Sequence, residues 1–413
     1  MNLLKISWAN LKDKPLSSFL SGLLMTLGIT IISLLLLLNK QLDEQFSRNV
    51  RGIDMVLGAK GSPLQLILSS IYQIDAPTGN IPLDEAERLT RNPMIQTAIP
   101  LSMGDSYQTF RIVGTNKKYV DHFEATVDQG ALFQKDLEVT IGARVAEVTG
   151  LKLGDTFAGS HGLDGEGEEH GDKKYKVVGI FNPSNTVIDQ LILTPISSVW
   201  AIHEHHEEHE GETKSEGVEV LEEDHEHEHE AEAPREITSM LIKFRNPLGM
   251  MIARGINNNS KLQAALPSIE INRLFSLLGV GVDTLRGLAV AIMLIAGISV
   301  FVSLYNSLKE RKYEMALMLS MGAGRTQLFG MLLLEGLVLS LIGFVLGLVL
   351  SRVGLLLLST RAEQSFHYSL NNLSILPEEW LVLGVAVLIG IVAAALPALG
   401  VYRMNISQTL AEE

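Results

Sequence analysis

The chain is 413 residues long and 46% hydrophobic, with a formal net charge of −14 and no cysteine. Thirteen acids and one lysine between His203 and Glu230 carry twelve of those fourteen net negative charges, so the remainder is close to neutral. The balance excludes a basic nucleic-acid surface, and the acidic block, which cannot bury a core, says nothing about the fold.

The first element is Leu16–Leu38, an uncharged apolar run preceded by Lys5, Lys12 and Lys14. It has the roughly 20 residues needed to cross a bilayer core. It is too long for a signal peptide, and "LNKQLDEQ" after it offers no small-residue cleavage site, so it is expected to remain as an anchor. Residues 39–286 then alternate short β-branched runs with helix-like ones. "TFRIVGTN", "LEVTIG", "KYKVVGIF", "QLILTP" and "TSMLIKF" are bounded by turn residues and read as strands. "PLDEAERLTRNP", "ARVAEVTG" and "PLGMMIARGINNNSKLQAAL" read as helices. Asp54–Pro82 reads either as a distinctive feature with no assigned partner or as a packed amphipathic element leaving the first span.

Three further apolar segments follow: Gly287–Leu308 and Trp380–Tyr402 without charge, and Thr326–Ser351 with Glu335 alone. The expected organisation is an N-terminus (1–15), a span (16–38), an α+β domain (39–286) and a span (287–308). A helix and turn (309–325), a span (326–351), a loop (352–379), a span (380–402) and a tail (403–413) complete it. The fold class is thus integral membrane, four transmembrane α-helices arranged one plus three, with a large α+β domain between the first and second. Lys309, Arg311, Lys312, Arg325 and Arg403 join the N-terminal lysines on one face, while Arg286, Arg352 and Arg361 lie on the other. The positive-inside rule makes both termini cytoplasmic and the α+β domain extracytoplasmic.

"VTIGARVAEVTGLKLGDTF" followed by "YKVVGIF" resembles the core of a MacB-like periplasmic domain. "LKERKYEMALMLSMGAGRTQLFGMLLLEGLVLSLIGFVLGLVLS" and the terminal "ALPALGVYRMNISQTLAEE" resemble the FtsX-type permease segment. In this order they resemble the FtsX/MacB-type permeases of ABC transporters over nearly the whole chain. The resemblance implies a non-catalytic membrane subunit, a separate cytoplasmic ATPase, a second copy of the permease and a mechanical rather than chemical action. It leaves open whether motion drives efflux or lipoprotein release, or switches an extracytoplasmic enzyme. A periplasmic binding or adaptor protein is a further expected partner. Consistently, no G-x-x-x-x-G-K-[ST] occurs, and "GAGRTQ" and "GAKGSP" lack the lysine and hydroxyl that hold phosphates and Mg²⁺. No nucleophile–base pair stands out.

The resemblance places the ATPase contact on the helix at Lys309–Met321, with Lys309, Arg311, Lys312 and Glu314 on it and Gly322 and Gly324 turning into the next span. Without it, the same residues read as a basic flank. Glu335 lies about 13 Å into its span at 1.5 Å per residue, and a charge there must face protein or water. It reads either as a bond to a neighbouring helix or as a transport carboxylate. Gly343 and Gly347 form a G-x-x-x-G pair that lets helices approach.

The acidic block also holds seven histidines: His203, His205, His206, His209, His225, His227 and His229. Neutral imidazoles among carboxylates are ligands for divalent metals, zinc first, although no fixed tetrahedral spacing is present. No tightly bound cofactor is expected. The segment reads as a surface loop that collects metal, or as a solvated acidic loop that binds it incidentally.

Overall fold

The computed structural model describes residues 7, 9, 12, 15–161, 169–202, 235–366 and 373–403. The chain forms two compact units, Glu44–Phe275 and Met1–Asp43 with Ser276–Glu413, so the passage between them falls within two helices.

Unit Glu44–Phe275 begins with the last turns of α1 (Pro15–Val50). There follow β1 (Met55–Ala59), α2 (Pro63–Ile67, extended by a wider turn over Leu68–Tyr72), β2 (Ile81–Pro82), α3 (Leu83–Thr90), β3 (Ile95–Tyr107), β4 (Phe110–Thr115) and α4 (Lys117–His122). Next come β5 (Val127–Gly130), β6 (Glu138–Ile141), α5 (Ala143–Thr149), β7 (Thr156–His161), β8 (Glu169–Phe181), β9 (Leu191–Pro195) and α6 over residues 196–202. The unit closes with β10 (Glu236–Ile237), β11 (Ser239–Phe244), α7 (Met250–Asn259), β12 (Leu262–Ala265) and the start of α8 (Pro267–Glu310).

The strand order is β12-β1-β11-β3-β4-β9-β6-β8-β5. β7 pairs with both β8 and β3, so β3, β4, β9, β6, β8 and β7 form a closed ring of hydrogen-bonded neighbours. Alternate residues fill its interior, as the two-residue period of a strand requires. Phe110 and Ile112 of β4, Val139 and Ile141 of β6, Phe157 of β7, Tyr175 and Val177 of β8 and Ile192 of β9 make one buried cluster. The open wing β12-β1-β11 carries a second cluster against α3 and α7, including Met55, Leu57, Ile242 and Ile256.

A third cluster packs the Asp54–Pro82 segment onto the sheet through Leu66, Ile67, Ile71 and Tyr72, and receives the ends of the long helices. The Phe46 ring of α1 lies 4.6 Å from Tyr72 and 5.6 Å from Phe275 of α8. Asn49 accepts the Val187 N–H at 2.9 Å, and Arg48 donates to the Asn185 carbonyl at 3.1 Å.

The five strands expected over residues 109–244 are present, and two regions differ from expectation. The helix expected through Leu266 stops at Asn259, because the Asn257 side chain accepts the Ala264 N–H at 2.7 Å and donates to its carbonyl, setting up β12. β3, not foreseen, runs thirteen residues through Pro100 and Gly104.

The other unit holds α1, α8, α9 (Lys312–Ser320), α10 (Arg325–Phe366) and α11 (Pro377–Ala398). α8 is 44 residues, about 66 Å, roughly twice a bilayer core, and it starts twenty residues before the expected span. α10 likewise continues beyond Ser351 to Phe366, where a loop was expected. Lys309 and Glu310 end α8, and the chain then breaks at Arg311 (φ −100°, ψ 17°), so α9 is a separate helix and not an extension of the second span.

Candidate functional site

Four helices have the length and composition to cross a membrane. Their outward faces are apolar, with Leu20, Leu23, Ile298, Val345, Leu381 and Val392 all exposed. Lipid tails give such helices no hydrophobic reason to associate, so they meet where small residues let backbones approach.

A Cβ on Gly343 would lie 2.8 Å from Met25 Cγ, and one on Gly347 would lie 2.7 Å from Ile29 Cγ2, so this pair of α10 is pressed against α1. The α1–α8 seam is made by Ser17–Ser303 (2.6 Å), Ser21–Ser299 (2.8 Å) and Gly28 against Met293. Gly336 of α10 and Gly390 of α11 face each other's carbonyls, at 2.7 and 2.9 Å from added Cβ atoms. Glu335, beside that seam, is 2% exposed and therefore faces protein.

One charged constellation was not foreseen. Arg352 of α10 grips Glu379 of α11 with two parallel bonds, Nη1–Oε1 at 2.5 Å and Nη2–Oε2 at 2.6 Å. Ser33 of α1 donates to the same carboxylate, Ser351 lies 2.9 Å from Ser33, and Arg352 also reaches the Ser374 carbonyl at 3.1 Å. The carboxylate accepts the Leu376 N–H at 3.0 Å, capping the first turn of α11. Glu379 is fully buried, and this bolt fastens three helices. The available signal was an arginine closing one span and a glutamate opening the next, each without a mate in its own helix.

α9 is held from behind. Met315 and Ala316 are buried against Leu328, Met331 and Leu332 of α10 and Ala398 and Val401 at the end of α11. Lys312, Tyr313, Glu314, Leu317 and Met321 are exposed, with Met321 at 73%. Arg311 Nε lies 4.0 Å from Glu314. The helix ends at Gly322, whose φ of +95° favours glycine, and Ala323 N–H returns to the Met318 carbonyl at 2.9 Å while Gly322 N–H reaches Leu319 at 3.1 Å. Gly324 has no such requirement; its N–H bonds Gln327 Oε1 at 3.1 Å, opening α10.

The histidine candidates His203, His205, His206, His209, His225, His227 and His229 lie outside the described residues. The flanks of that segment are tied together, since Trp200 Nε1 donates to the Glu236 carbonyl at 2.6 Å and the Arg235 guanidinium lies 5.4 Å from the Trp200 ring. Among the described residues, no group of three His, Asp or Glu side chains is placed to hold a metal ion.

A single helix, an α+β domain and a bundle of three more helices define an integral membrane protein of four transmembrane helices built around an inserted domain. The profile of the MacB-like periplasmic core domain matches residues 18–233, and that of the FtsX-like permease C-terminal domain matches residues 286–406. The chain belongs to the FtsX/MacB-type permease family of ABC transporters. No curated protein sequence matches it. Among solved structures, it is similar to the periplasmic region of MacB from Actinobacillus actinomycetemcomitans, at 13% identity and a TM-score of 0.33, covering 55% of this chain and 95% of that one. It is also similar to the extracellular domain of the noncanonic ABC-type transporter YknZ from Gram-positive bacteria, at 12% identity and a TM-score of 0.30, covering 51% and 98%.

Proposed function

We propose that the chain is the membrane subunit of an ABC complex and passes the movement of a partner ATPase, received at α9, to its α+β domain. The observation that carries this is α9 itself: a short helix with one face exposed and the other packed on two spans. Tyr313, Leu317 and Met321, four residues apart, form an apolar stripe beside Lys312 and Glu314, suited to a groove on a partner. Being backed by Met315 and Ala316, it moves with α10 and α11 and not independently of them. The excess of lysine and arginine at this end supports a cytoplasmic position for it. Onward transmission uses α1 and α8, which enter the Glu44–Phe275 unit without interruption and are seated there by Phe46, Asn49 and Phe275.

In this reading the chain hydrolyses nothing. It works as a homodimer with two ATPases, and substrate need not pass between its helices. The test is Glu314→Lys in the complex reconstituted with its ATPase. Glu314 is exposed and holds no core together, so folding and membrane insertion are expected to survive while ATPase stimulation falls. Unchanged stimulation would remove α9 as the contact.

A further inference from the structure

The face of α8 that its own bundle leaves uncovered carries a repeat. Starting at Leu277, alternate steps of four and three residues reach Gly281, Thr284, Leu288 and Ala291 and, four steps later, Tyr305, and all nine positions are exposed. The opposite face is used within the chain, with Ala289, Met293, Ala296, Val300 and Leu304 buried. An uncharged seam at an average spacing of 3.5 residues, kept for four heptads and about 42 Å, is the pattern by which two helices wind around each other.

Within the bilayer such a face needs no partner, because lipid tails cover it as well as protein does. The seam, however, begins ten residues before Gly287, where the uncharged segment of the span starts. The ion pair of Asp283 with Arg286, at 3.2 Å and open to solvent, marks this stretch as lying in water. Leu277 is nevertheless 65% exposed and Val280 70%. Neither lipid nor water accounts for such an apolar row, so protein must cover it.

We propose that the cover is the same seam of a second copy, α8 packed against α8 in parallel from Leu277 to Tyr305. This rests on the homodimer of the reading above and names its contact surface. Copies inserted the same way run their α8 helices parallel, and a two-fold axis then sets each seam residue against its own counterpart. A charge on the seam would meet its like; none of the nine positions carries one, and Asp283 and Arg286 lie off it. Thr284 Oγ1 donates to the Val280 carbonyl at 2.7 Å, so its hydroxyl asks for no partner across the seam. Gly281, whose added Cβ would meet nothing in its own chain, lets the backbones approach. The six large side chains of the seam, each about half exposed or more, offer on the order of 100 Å² apiece, so two copies bury on the order of 1,200 Å², past the roughly 1,000 Å² that a specific interface needs.

The chain has no cysteine, so a single introduced thiol reports its own neighbour. The experiment is oxidation of full-length single-cysteine variants in proteoliposomes with copper phenanthroline, read as disulfide-linked dimer on gels. Leu277→Cys, Thr284→Cys and Leu288→Cys are expected to cross-link at least about tenfold faster than Asp283→Cys and Val290→Cys, which are also exposed but turned away from the seam, since a disulfide needs Cα atoms within about 7 Å. Thr284→Lys sets two like charges face to face in water and is expected to lower the dimer fraction about tenfold by mass photometry, while Asp283→Lys leaves it unchanged. Melting curves by circular dichroism keep a misfolded variant from being counted. Equal rates on and off the seam, or no linked dimer at any seam position, would overturn the assignment. Mass photometry then separates the causes: a dimer that persists keeps the homodimer and removes only this surface, whereas a monomer removes both.

Discussion

Replacing Arg352 by alanine removes five contacts at once: two parallel bonds to Glu379, one each to the Ser33 and Ser351 hydroxyls and one to the Ser374 carbonyl. Glu379 is left fully buried, with Ser33 and the Leu376 N–H as remaining donors. A buried charge stripped of its partner costs about 3–5 kcal/mol, whereas replacing both partners by apolar groups of similar volume is often neutral or better. Arg352→Ala is therefore expected to destabilise the bundle by about 3–5 kcal/mol, and the double variant Arg352→Leu with Glu379→Leu to recover most of it. Glu379→Gln, which keeps a polar group of the same shape, should fall between. The assay is denaturant unfolding of the detergent-solubilised chain followed by tryptophan fluorescence, since Trp380 stands next to Glu379. A loss below about 1 kcal/mol for Arg352→Ala would show that the carboxylate is satisfied without the arginine, and would refute the bolt.

Gly343→Leu and Gly347→Leu drive side chains into Met25 and Ile29, and each should cost about 1–3 kcal/mol; Gly330→Leu, with open space around the added Cβ, serves as the control in the same unfolding assay. Burial, then Lys243, lower the His122 pKa in the folded chain, so the unfolded chain takes up more protons as pH drops below 6.5; stability is full above that value, declines towards the folded pKa and then levels, and His122→Gln should lack this decline in melts across pH 4–8. Deleting 203–232 should leave melting and complex assembly intact, because Trp200 and Glu236 already join the flanks, while zinc stoichiometry by calorimetry falls; unchanged stoichiometry would end the metal-collector reading.

Much of this architecture was legible because it is written in runs. Uncharged stretches of bilayer length mark the spans, and β-branched runs bounded by Gly, Asn or Pro mark β4, β6, β9 and β11. β3 was not, since Pro100 and Gly104 interrupt its alternation, and β12 was masked by the Asn-rich end of α7. Closure of the strand ring depends on two residue pairs between β7 and β3, Asp105 with His161 and Ser106 with Ser160, a long-range meeting with no local signature. The α9 residues and Gly322 were visible as charge and glycine punctuation. Arg352 was legible only as a charge flanking a span and Glu379 was not singled out, because the pairing arises only when α10 and α11 pack. His122 had no sequence signal at all, being one histidine at the end of a six-residue helix.

The ring contact between Phe46 and Phe275 has a consequence for how such a chain is assembled and diversified. The domain leaves and returns to the membrane segments at neighbouring points, although more than two hundred residues intervene. A folding unit whose two ends meet can be exchanged, enlarged or removed without asking the helices on either side to change their spacing. The acidic histidine block repeats the arrangement one level down, as an insert whose flanks are clasped by Trp200 and Glu236. The polypeptide is thus nested, a domain inserted among helices and a further segment inserted in that domain, and each level can acquire a new specificity while the one beneath it keeps its geometry.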